Sequence, residues 1–246
     1  MKFTAIILAG GKGTRLQSLT RDKTLLRIGA GAVISWSVHA FARCKSCESI
    51  VLTYRDNAQR DKIENELQRA VPKLPALHWV VGGERRQDSV LNALNAVPHG
   101  SEWVFIHDGA RPFITGADID ALMHAAQATG AAALALPVTD TLKRADRTGT
   151  LEALLLEDLE RERLYAMQTP QVFRTDTIHS AYTQLQQSGA TVTDCVDALV
   201  RAKPTPVTLV TPAQNNLKIT RPEDVELANF LVHTGSIKKV FELAYH

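Results

Sequence analysis

FTAIILAGGKGTRL, residues 3–16, joins a short apolar run to a basic segment rich in glycine. The apolar run predicts a buried strand, and the glycines after it let backbone N–H groups approach an anion closely. Lys12, Arg15 and Lys23 add positive charge nearby, and an arginine can grip phosphate with two hydrogen bonds. The segment fits neither the P-loop pattern nor the GxGxxG dinucleotide pattern. We therefore predict a strand-end site for a di- or triphosphate, with an ordinary glycine turn as the structural alternative.

Short apolar runs alternate with amphipathic stretches along the first two-thirds of the chain. Five such runs predict buried strands, over residues 3–9, 50–53, 77–81, 103–107 and 132–138. Between them apolar residues recur at helical spacing, as in Ile34, Val38 and Phe41. This alternation predicts an α/β fold with a mostly parallel twisted sheet flanked by helices. In such sheets ligands bind beyond the carboxyl ends of the strands.

The alternation lapses between about residues 139 and 174, where charges interrupt the apolar positions. We interpret this segment as an arm that leaves the sheet and packs on another subunit. Regular patterning then resumes, with predicted helices over 175–187 and 222–231 and a strand over 206–210. The chain is thus predicted to form one domain over residues 1–231, including the arm, and a loose C-terminal extension over 232–246.

The composition argues against several classes of function. The 246 residues include 28 Lys and Arg against 26 Asp and Glu, a formal net charge of +2. That balance argues against nucleic acid or an acidic membrane as a partner, although a few local cations suffice for a small anion. Cys44, Cys47 and Cys195 are too few for a disulfide framework. Without a signal-peptide pattern or a run of roughly 18 apolar residues, the sequence predicts a soluble, cytoplasmic protein with no membrane span.

An aspartate closes the fourth predicted strand, in the sequence His107-Asp108-Gly-Ala-Arg111-Pro. A carboxylate at the mouth of a buried strand is well placed to hold Mg²⁺, which prefers carboxylate, water and phosphate oxygens. In the structural alternative Asp108 caps a turn and pairs with Arg111. His107 is assigned no catalytic role, because a single histidine on a buried strand is more often structural.

Two other segments carry weaker signals. Gly82 and Gly83 stand between a strand and a helix, where Ser89 could either cap the helix or contact a base. Lys218 lies in an extended segment before a helix start and could reach the same edge of the sheet. No spacing suggests a Ser-His-Asp or Cys-His arrangement. The chemistry implied is therefore electrostatic, by positioning and charge neutralisation.

Seven motifs together resemble one family, the 2-C-methyl-D-erythritol 4-phosphate cytidylyltransferases of the non-mevalonate isoprenoid pathway. They occur in the family's order between about residues 4 and 231, as GGKGTRL, GGERRQDSV, HDGARP, PVTDTLKR, RLYAMQTPQ, TVTDCVDAL and NNLKITRPEDV. The resemblance implies a Rossmann-like nucleotidyltransferase fold and the transfer of CMP from CTP to methylerythritol phosphate, with release of pyrophosphate. It further implies Mg²⁺ or another divalent cation, and a homodimer in which each arm completes the neighbouring site.

The resemblance also assigns roles to individual residues. Arg15 and Lys23 would stabilise charge on the triphosphate, whereas Arg161 and Lys218 would position the acceptor phosphate; these four are the expected catalytic residues. The expected nucleotide-binding residues are Ala9, Gly10, Gly11, Gly13, Gly83, Glu84, Ser89, Asp108 and Ala110. The expected acceptor-binding residues are Arg111, Thr141, Arg161, Thr193 and Lys218, and the expected metal ligand is Asp108.

The chain departs from the family pattern at one point. The family usually has Pro-Lys-Gln where this chain has Asp22-Lys23-Thr24, and the spacing from Arg15 is one residue longer. The motifs leave three alternatives open: a cytidylyltransferase for another alditol phosphate such as ribitol 5-phosphate, a UTP-dependent sugar-phosphate enzyme, and a non-catalytic nucleotide-binding protein. The joint presence of Arg15, Asp108 and Lys218 favours an enzyme.

Overall fold

A seven-stranded sheet forms the centre of the computed structural model, which describes residues 1–11, 22–146 and 154–237. The strands of the described residues are β1 (Phe3–Leu8), β2 (Arg27–Ile28), β3 (Gly31–Ala32), β4 (Cys47–Tyr54), β5 (Ala76–Val81), β6 (Trp103–Asp108), β7 (Ala131–Pro137), β8 (Lys143–Ala145), β9 (Leu156–Asp158), β10 (Tyr165–Arg174) and β11 (Thr208–Val210). The central sheet has the order β11-β7-β10-β6-β1-β4-β5. Within it β10 runs antiparallel to β6 and β7, and the other pairs are parallel.

Helices cover both faces of this sheet. The described residues form α1 (Val33–Ala42), α2 (Asn57–Ala70), α3 (Arg86–Asn95), α4 (Gly116–Thr129), α5 (Thr175–Ser188), α6 (Cys195–Ala202) and α7 (Pro222–His233). Several begin at side chains that bond to free backbone N–H groups of the first turn. Asp56 accepts from the backbone N–H of Gln59 at the start of α2, and Thr115 and Asp118 form a capping box at the start of α4.

The hydrophobic core forms two layers, one on each face of the sheet, and β1 is buried between them. Phe3, Ala5 and Ile7 join the layer that contains α1 and α4, whereas Ile6 joins the layer that contains α3 and α5. Alternate residues of a strand point to opposite faces, so a doubly covered strand must be apolar throughout. The buried strand predicted at residues 3–9 is confirmed, and so is the mostly parallel α/β sheet.

One expectation about the arm is wrong. The whole of residues 139–174 was expected to leave the sheet, yet Tyr165–Arg174 forms β10 in its interior, between β6 and β7. The part that leaves the sheet includes the antiparallel hairpin of β8 and β9. Residues 147–153 lie outside the described residues. The helices α4 and α6 were also not predicted.

The chain beyond α7 packs more closely than a loose extension would. α7 ends at His233, and Ile237 is 2% exposed in the same core layer as α1. The expectation of a loose extension from residue 232 is therefore wrong for residues 232–237. Residues 238–246 lie outside the described residues. Among the described helices, none combines the length and the apolar character needed to span a membrane.

Candidate active site

The carboxyl ends of β1, β4, β5 and β6 meet at one edge of the sheet, because these strands are parallel neighbours. The residues that follow them enclose a cleft of about 470 Å³, here called the glycine cleft. Its lining includes Gly10 and Gly11 after β1, Gly82 and Gly83 after β5, and Asp108 at the end of β6. Backbone N–H groups and glycines grouped in this way suit a polyanionic ligand.

The glycine cleft brings together every expected nucleotide-binding residue that the structure describes. These are Ala9, Gly10, Gly11, Gly83, Glu84, Ser89, Asp108 and Ala110. Lys23 also lines the cleft, from a short 3-10 helix over Lys23–Leu25. Gly13 and Arg15 fall within residues 12–21, outside the described residues.

Gly83 is required by the tight turn between β5 and α3. A Cβ atom on Gly83 would lie 2.3 Å from Cβ of Asp88, a distance that no side chain can tolerate. The N–H of Gly83 donates to Oγ of Ser89 at 2.9 Å, and Ser89 Oγ donates to the carbonyl of Arg85 at 3.2 Å. Ser89 therefore shapes this wall of the cleft from inside α3.

Asp108 is the centre of a charged wall formed with Arg86 and Lys218. Arg86 donates to Oδ1 of Asp108 from Nη2 at 3.1 Å and from Nε at 3.3 Å, and Lys218 Nζ donates to Oδ2 at 2.6 Å. Burial alone would raise the pKa of Asp108, but the charges of Arg86 and Lys218 outweigh it and hold the pKa well below its usual range. Asp108 is therefore an anion at neutral pH. Arg86 was not among the expected site residues, although it lies within the GGERRQDSV motif.

A chain of hydrogen bonds behind the wall fixes its backbone. The N–H of Asp108 donates to Oγ1 of Thr169 at 3.0 Å, and Thr169 Oγ1 lies 3.3 Å from Nδ1 of His107. Nε2 of His107 lies 3.0 Å from the carbonyl of Arg111 and must carry the proton there. Burial lowers the pKa of His107 to about 4, so the ring is neutral at pH 7. This geometry gives His107 a structural role.

A second cleft of about 750 Å³ lies on the other side of the charged wall, and we call it the threonine cleft. Thr169 and Thr193 line it, and it shares Arg86, Asp108 and Lys218 with the glycine cleft. The two clefts therefore have one wall in common. A group bound in either of them lies beside the same carboxylate and the same two cations.

Arg111 lines the threonine cleft and is held by the chain segment that carries Lys218. Its Nη1 donates to the carbonyl of Asn216 at 2.8 Å, and the amide of Asn216 donates to the carbonyl of Thr169 at 2.9 Å. The Arg111 side chain therefore bonds to Asn216 and not to Asp108, unlike the structural alternative considered from the sequence. Nε of Arg111 is buried and has no hydrogen-bond partner among the described residues.

Two of the expected acceptor-binding residues lie on the arm and away from both clefts. Thr141 and Arg161 are exposed and line neither cleft, and Nη1 of Arg161 donates to the carbonyl of Thr139 at 3.0 Å. The other three, Arg111, Thr193 and Lys218, line the threonine cleft. A single chain therefore brings three of the five expected acceptor-binding residues together in one cleft.

Two clefts with a common charged wall can hold a nucleotide and a second anionic substrate side by side. At the carboxyl edge of a parallel α/β sheet, this arrangement has the features that a nucleotidyltransferase needs. The sequence profile of the 2-C-methyl-D-erythritol 4-phosphate cytidylyltransferase family matches residues 3–234. The chain belongs to that family, as its motifs predicted.

Individual members of the family align with this chain over nearly its full length. The 2-C-methyl-D-erythritol 4-phosphate cytidylyltransferase of Pelotomaculum thermopropionicum is 39% identical over 234 residues, 94% of each chain. The protein of the same name from Tolumonas auensis is 36% identical, over 96% of this chain and 99% of its own. The crystal structure of 4-diphosphocytidyl-2C-methyl-D-erythritol synthase from Anaerococcus prevotii superposes with a TM-score of 0.81 at 27% identity, covering 94% of this chain and 96% of the other. These matches confirm the expected family, fold and enzyme class.

Proposed function

We propose that this chain transfers the CMP group of CTP to 2-C-methyl-D-erythritol 4-phosphate, as the names of its relatives indicate for them. A phosphate oxygen of the acceptor attacks the α-phosphorus of CTP and forms a new P–O–P linkage. The bond from the α-phosphorus to the oxygen that bridges to the β-phosphate breaks, and pyrophosphate leaves with the bonding electron pair. The products are 4-diphosphocytidyl-2-C-methyl-D-erythritol and pyrophosphate.

The observation that carries this proposal is the charged wall common to both clefts. CTP in the glycine cleft and the acceptor phosphate in the threonine cleft would both lie against Lys218 and Arg86. Two polyanions repel each other, so bringing them into contact requires cations between them. Phosphoryl-type transfer needs little beyond such positioning and neutralisation, and no described side chain has to act as a covalent nucleophile.

Individual residues take distinct parts in this reaction. Lys23 faces the glycine cleft and would bind the triphosphate, together with Arg15 of the glycine-rich segment. Lys218 would leave Oδ2 of Asp108 for the acceptor phosphate, which Arg111 also approaches in the threonine cleft. Thr193 would bind the acceptor from the start of α6, where its N–H and hydroxyl donate to the carboxylate of Asp197.

A magnesium ion fits this donor set if it arrives with the nucleotide. No cluster of three His, Cys, Asp or Glu side chains that could hold a metal ion occurs in the described part of the chain. The protein offers the ionised carboxylate of Asp108, and Mg²⁺ commonly binds one or two carboxylates together with substrate phosphates. Asp108 would hold the ion, which would neutralise charge on the triphosphate when bound.

A homodimer is part of the proposal, with Thr141 and Arg161 of one arm serving the neighbouring subunit's acceptor cleft. The arm region carries exposed apolar side chains, among them Leu155 at 77% and Leu156 at 60% exposed. Contiguous exposed apolar patches mark protein–protein interaction sites, and in the proposed dimer these neighbouring leucines would lie in such a patch. The cytoplasmic location stays a prediction from the sequence.

The test is to incubate the purified protein with one nucleotide and one acceptor in the presence of Mg²⁺ and to measure pyrophosphate. CTP, UTP and ATP are compared as nucleotides, and methylerythritol phosphate and ribitol 5-phosphate as acceptors. Pyrophosphate release with the pair CTP and methylerythritol phosphate, and with no other pair, supports the proposal. A preference for ribitol 5-phosphate or UTP, or no release with any pair, would contradict it.

A matched pair of variants ties the activity to the charged wall. Lys218→Gln removes one of the two cations common to both clefts and is expected to cut turnover by about 10²–10³-fold, as for other lost transition-state contacts. Lys62→Gln removes an exposed lysine of α2 and is expected to leave turnover unchanged. Equal activity of the two variants would show that the wall is not the reaction site.

A further inference from the structure

The turn between β4 and α2 holds the start of the glycine-rich segment. The N–H of Ala9 donates to Oγ1 of Thr53 at 3.1 Å, and the carbonyl of Ala9 accepts from Nε2 of Gln59 at 3.2 Å. Gln59 is 1% exposed, and its Oε1 accepts from the N–H of Arg55 at 2.7 Å. The backbone at Ala9 is therefore bonded on both sides to buried residues that flank this turn, Thr53 in β4 and Gln59 in α2.

The same turn also holds the point where that segment ends. Nη1 of Arg55 donates to Oδ1 of Asp22 at 2.6 Å, with the side chains only 24% and 13% exposed. Nε of Arg55 donates to Oδ2 of Asp56 at 2.7 Å, and Asp56 caps α2, so the guanidinium is itself fixed in place. Hydrogen bonds to Asp22 and Asp56 raise the pKa of Arg55 above its ordinary value. The residues on either side of the segment are thus bonded to the same β4–α2 connection.

Asp22 directly precedes Lys23, and this gives the ion pair a consequence for the site. Lys23 begins the 3-10 helix Lys23–Leu25 and lines the glycine cleft, whereas Asp22 does not line it. A lysine presents a compact charge on a flexible stem, so the position of its backbone sets the region that the charge can reach. Whatever holds Asp22 therefore directs Lys23.

We propose that the Asp22–Arg55 ion pair is a positioning device that directs Lys23 into the glycine cleft toward the triphosphate. The inference rests on the proposed function, because it takes CTP as the occupant of that cleft. Asp22 and Arg55 act through Lys23 and are positioning residues in this scheme. Misplacing a charge by about 1 Å can cost a large factor in rate, so fixing the backbone before Lys23 matters for catalysis.

The proposal predicts an effect opposite in sign to simple electrostatics. Asp22 carries a negative charge near a cleft that binds a polyanion, so its neutralisation alone would tighten CTP binding. If Arg55 were a direct phosphate ligand, removing its carboxylate partner would also tighten binding or leave it unchanged. Loss of the anchor instead weakens binding, because Lys23 is no longer held toward the phosphates.

The experiment measures binding of CTP with Mg²⁺ by calorimetry and the two KM values by steady-state kinetics. Asp22→Asn is expected to weaken CTP binding and raise the KM for CTP by about fivefold, with the acceptor KM within about twofold of the wild type. In a Lys23→Gln background, Asp22→Asn is expected to have no further effect, because the pair acts through that lysine. Asp61→Asn, on the exposed face of α2, is the matched control and is expected to bind CTP like the wild type.

A second variant separates the anchor from a loss of folding. Arg55→Lys keeps a cation near Asp22 and is expected to lose less CTP affinity than Arg55→Gln, at equal melting temperature. Undiminished or tighter binding of CTP by Asp22→Asn would overturn the proposal, as would an additive loss in the Lys23→Gln background. If the wild type bound no CTP at all, the proposed function would fall first and this inference with it. Normal wild-type turnover with an unaffected Asp22→Asn variant would overturn the positioning role alone.

Discussion

Replacing Arg86 by leucine tests how far the charged wall depends on this guanidinium. Arg86 and Lys218 each bond one oxygen of Asp108, which is 9% exposed, so the variant leaves a buried carboxylate with one cation instead of two. Losing a hydrogen bond to a charged group costs about 1.5–3 kcal/mol, and the remaining lysine prevents the larger cost of a fully unpaired charge. We expect Arg86→Leu to lower the free energy of unfolding at pH 7 by about 2 kcal/mol.

The dependence of this loss on pH has a definite sign. The folded protein holds the pKa of Asp108 below its value of about 3.9 in the unfolded chain. The ionised carboxylate therefore stabilises the fold above about pH 4, and this contribution disappears as the pH falls through the lower, folded pKa. Because Arg86→Leu removes one of the charges that lower the pKa, the difference between wild type and variant is expected to be constant from about pH 6 to 8 and to shrink below about pH 4.

Urea unfolding followed by circular dichroism measures both quantities. Arg86→Lys keeps a positive charge and is expected to lose less stability than Arg86→Leu. Arg85→Leu removes the neighbouring arginine, which pairs with Asp88 at the surface, and is expected to lose far less. A loss at pH 7 no larger than that of Arg85→Leu would refute the reasoning, and so would a loss that persists unchanged at acidic pH.

Three other outcomes are expected. Arg15→Ala should cut turnover by about 10²–10³-fold at an unchanged melting temperature. Mixed dimers of one Arg15→Ala subunit and one Arg161→Ala subunit should regain part of the activity. Mixed dimers that stay inactive would argue against sites shared between subunits. Gly83→Ala should cost about 1–3 kcal/mol of stability and raise the KM for CTP, because its Cβ would lie 2.3 Å from that of Asp88; a wild-type urea midpoint would contradict the clash. Phe105→Ala, at a fully buried position between two other phenylalanine rings, should cost about 3–5 kcal/mol in urea unfolding while the KM for CTP of the folded fraction stays unchanged.

The sequence predicts β1 well, because a parallel strand covered on both faces must be apolar throughout. β10 escapes that reasoning since it contains the polar residue Gln171 inside the sheet. Gln171 is 1% exposed, and its amide donates to Asp194 and accepts from the N–H of Cys195. A buried amide satisfied by residues more than twenty positions away looks like a surface residue until the fold is known.

Arg86 was missed for a related reason. Arg85 and Arg86 are adjacent and chemically alike, so composition cannot separate them. The start of α3 turns them in different directions, one toward Asp88 at the surface and the other toward Asp108 in the wall. The orientation of a helix, which local pattern does not encode, selects the functional residue of the pair.

The reversed direction of β10 determines where the arm is attached. β7 ends at Pro137 and β10 begins at Tyr165, and these two residues pair with each other beyond the end of β6. A parallel strand in this place would have required the chain to cross to the opposite rim before entering the sheet. With β10 reversed, the excursion departs from and returns to the rim that carries both clefts. A change in the length of that excursion therefore falls on the rim that carries both clefts and not on the far rim.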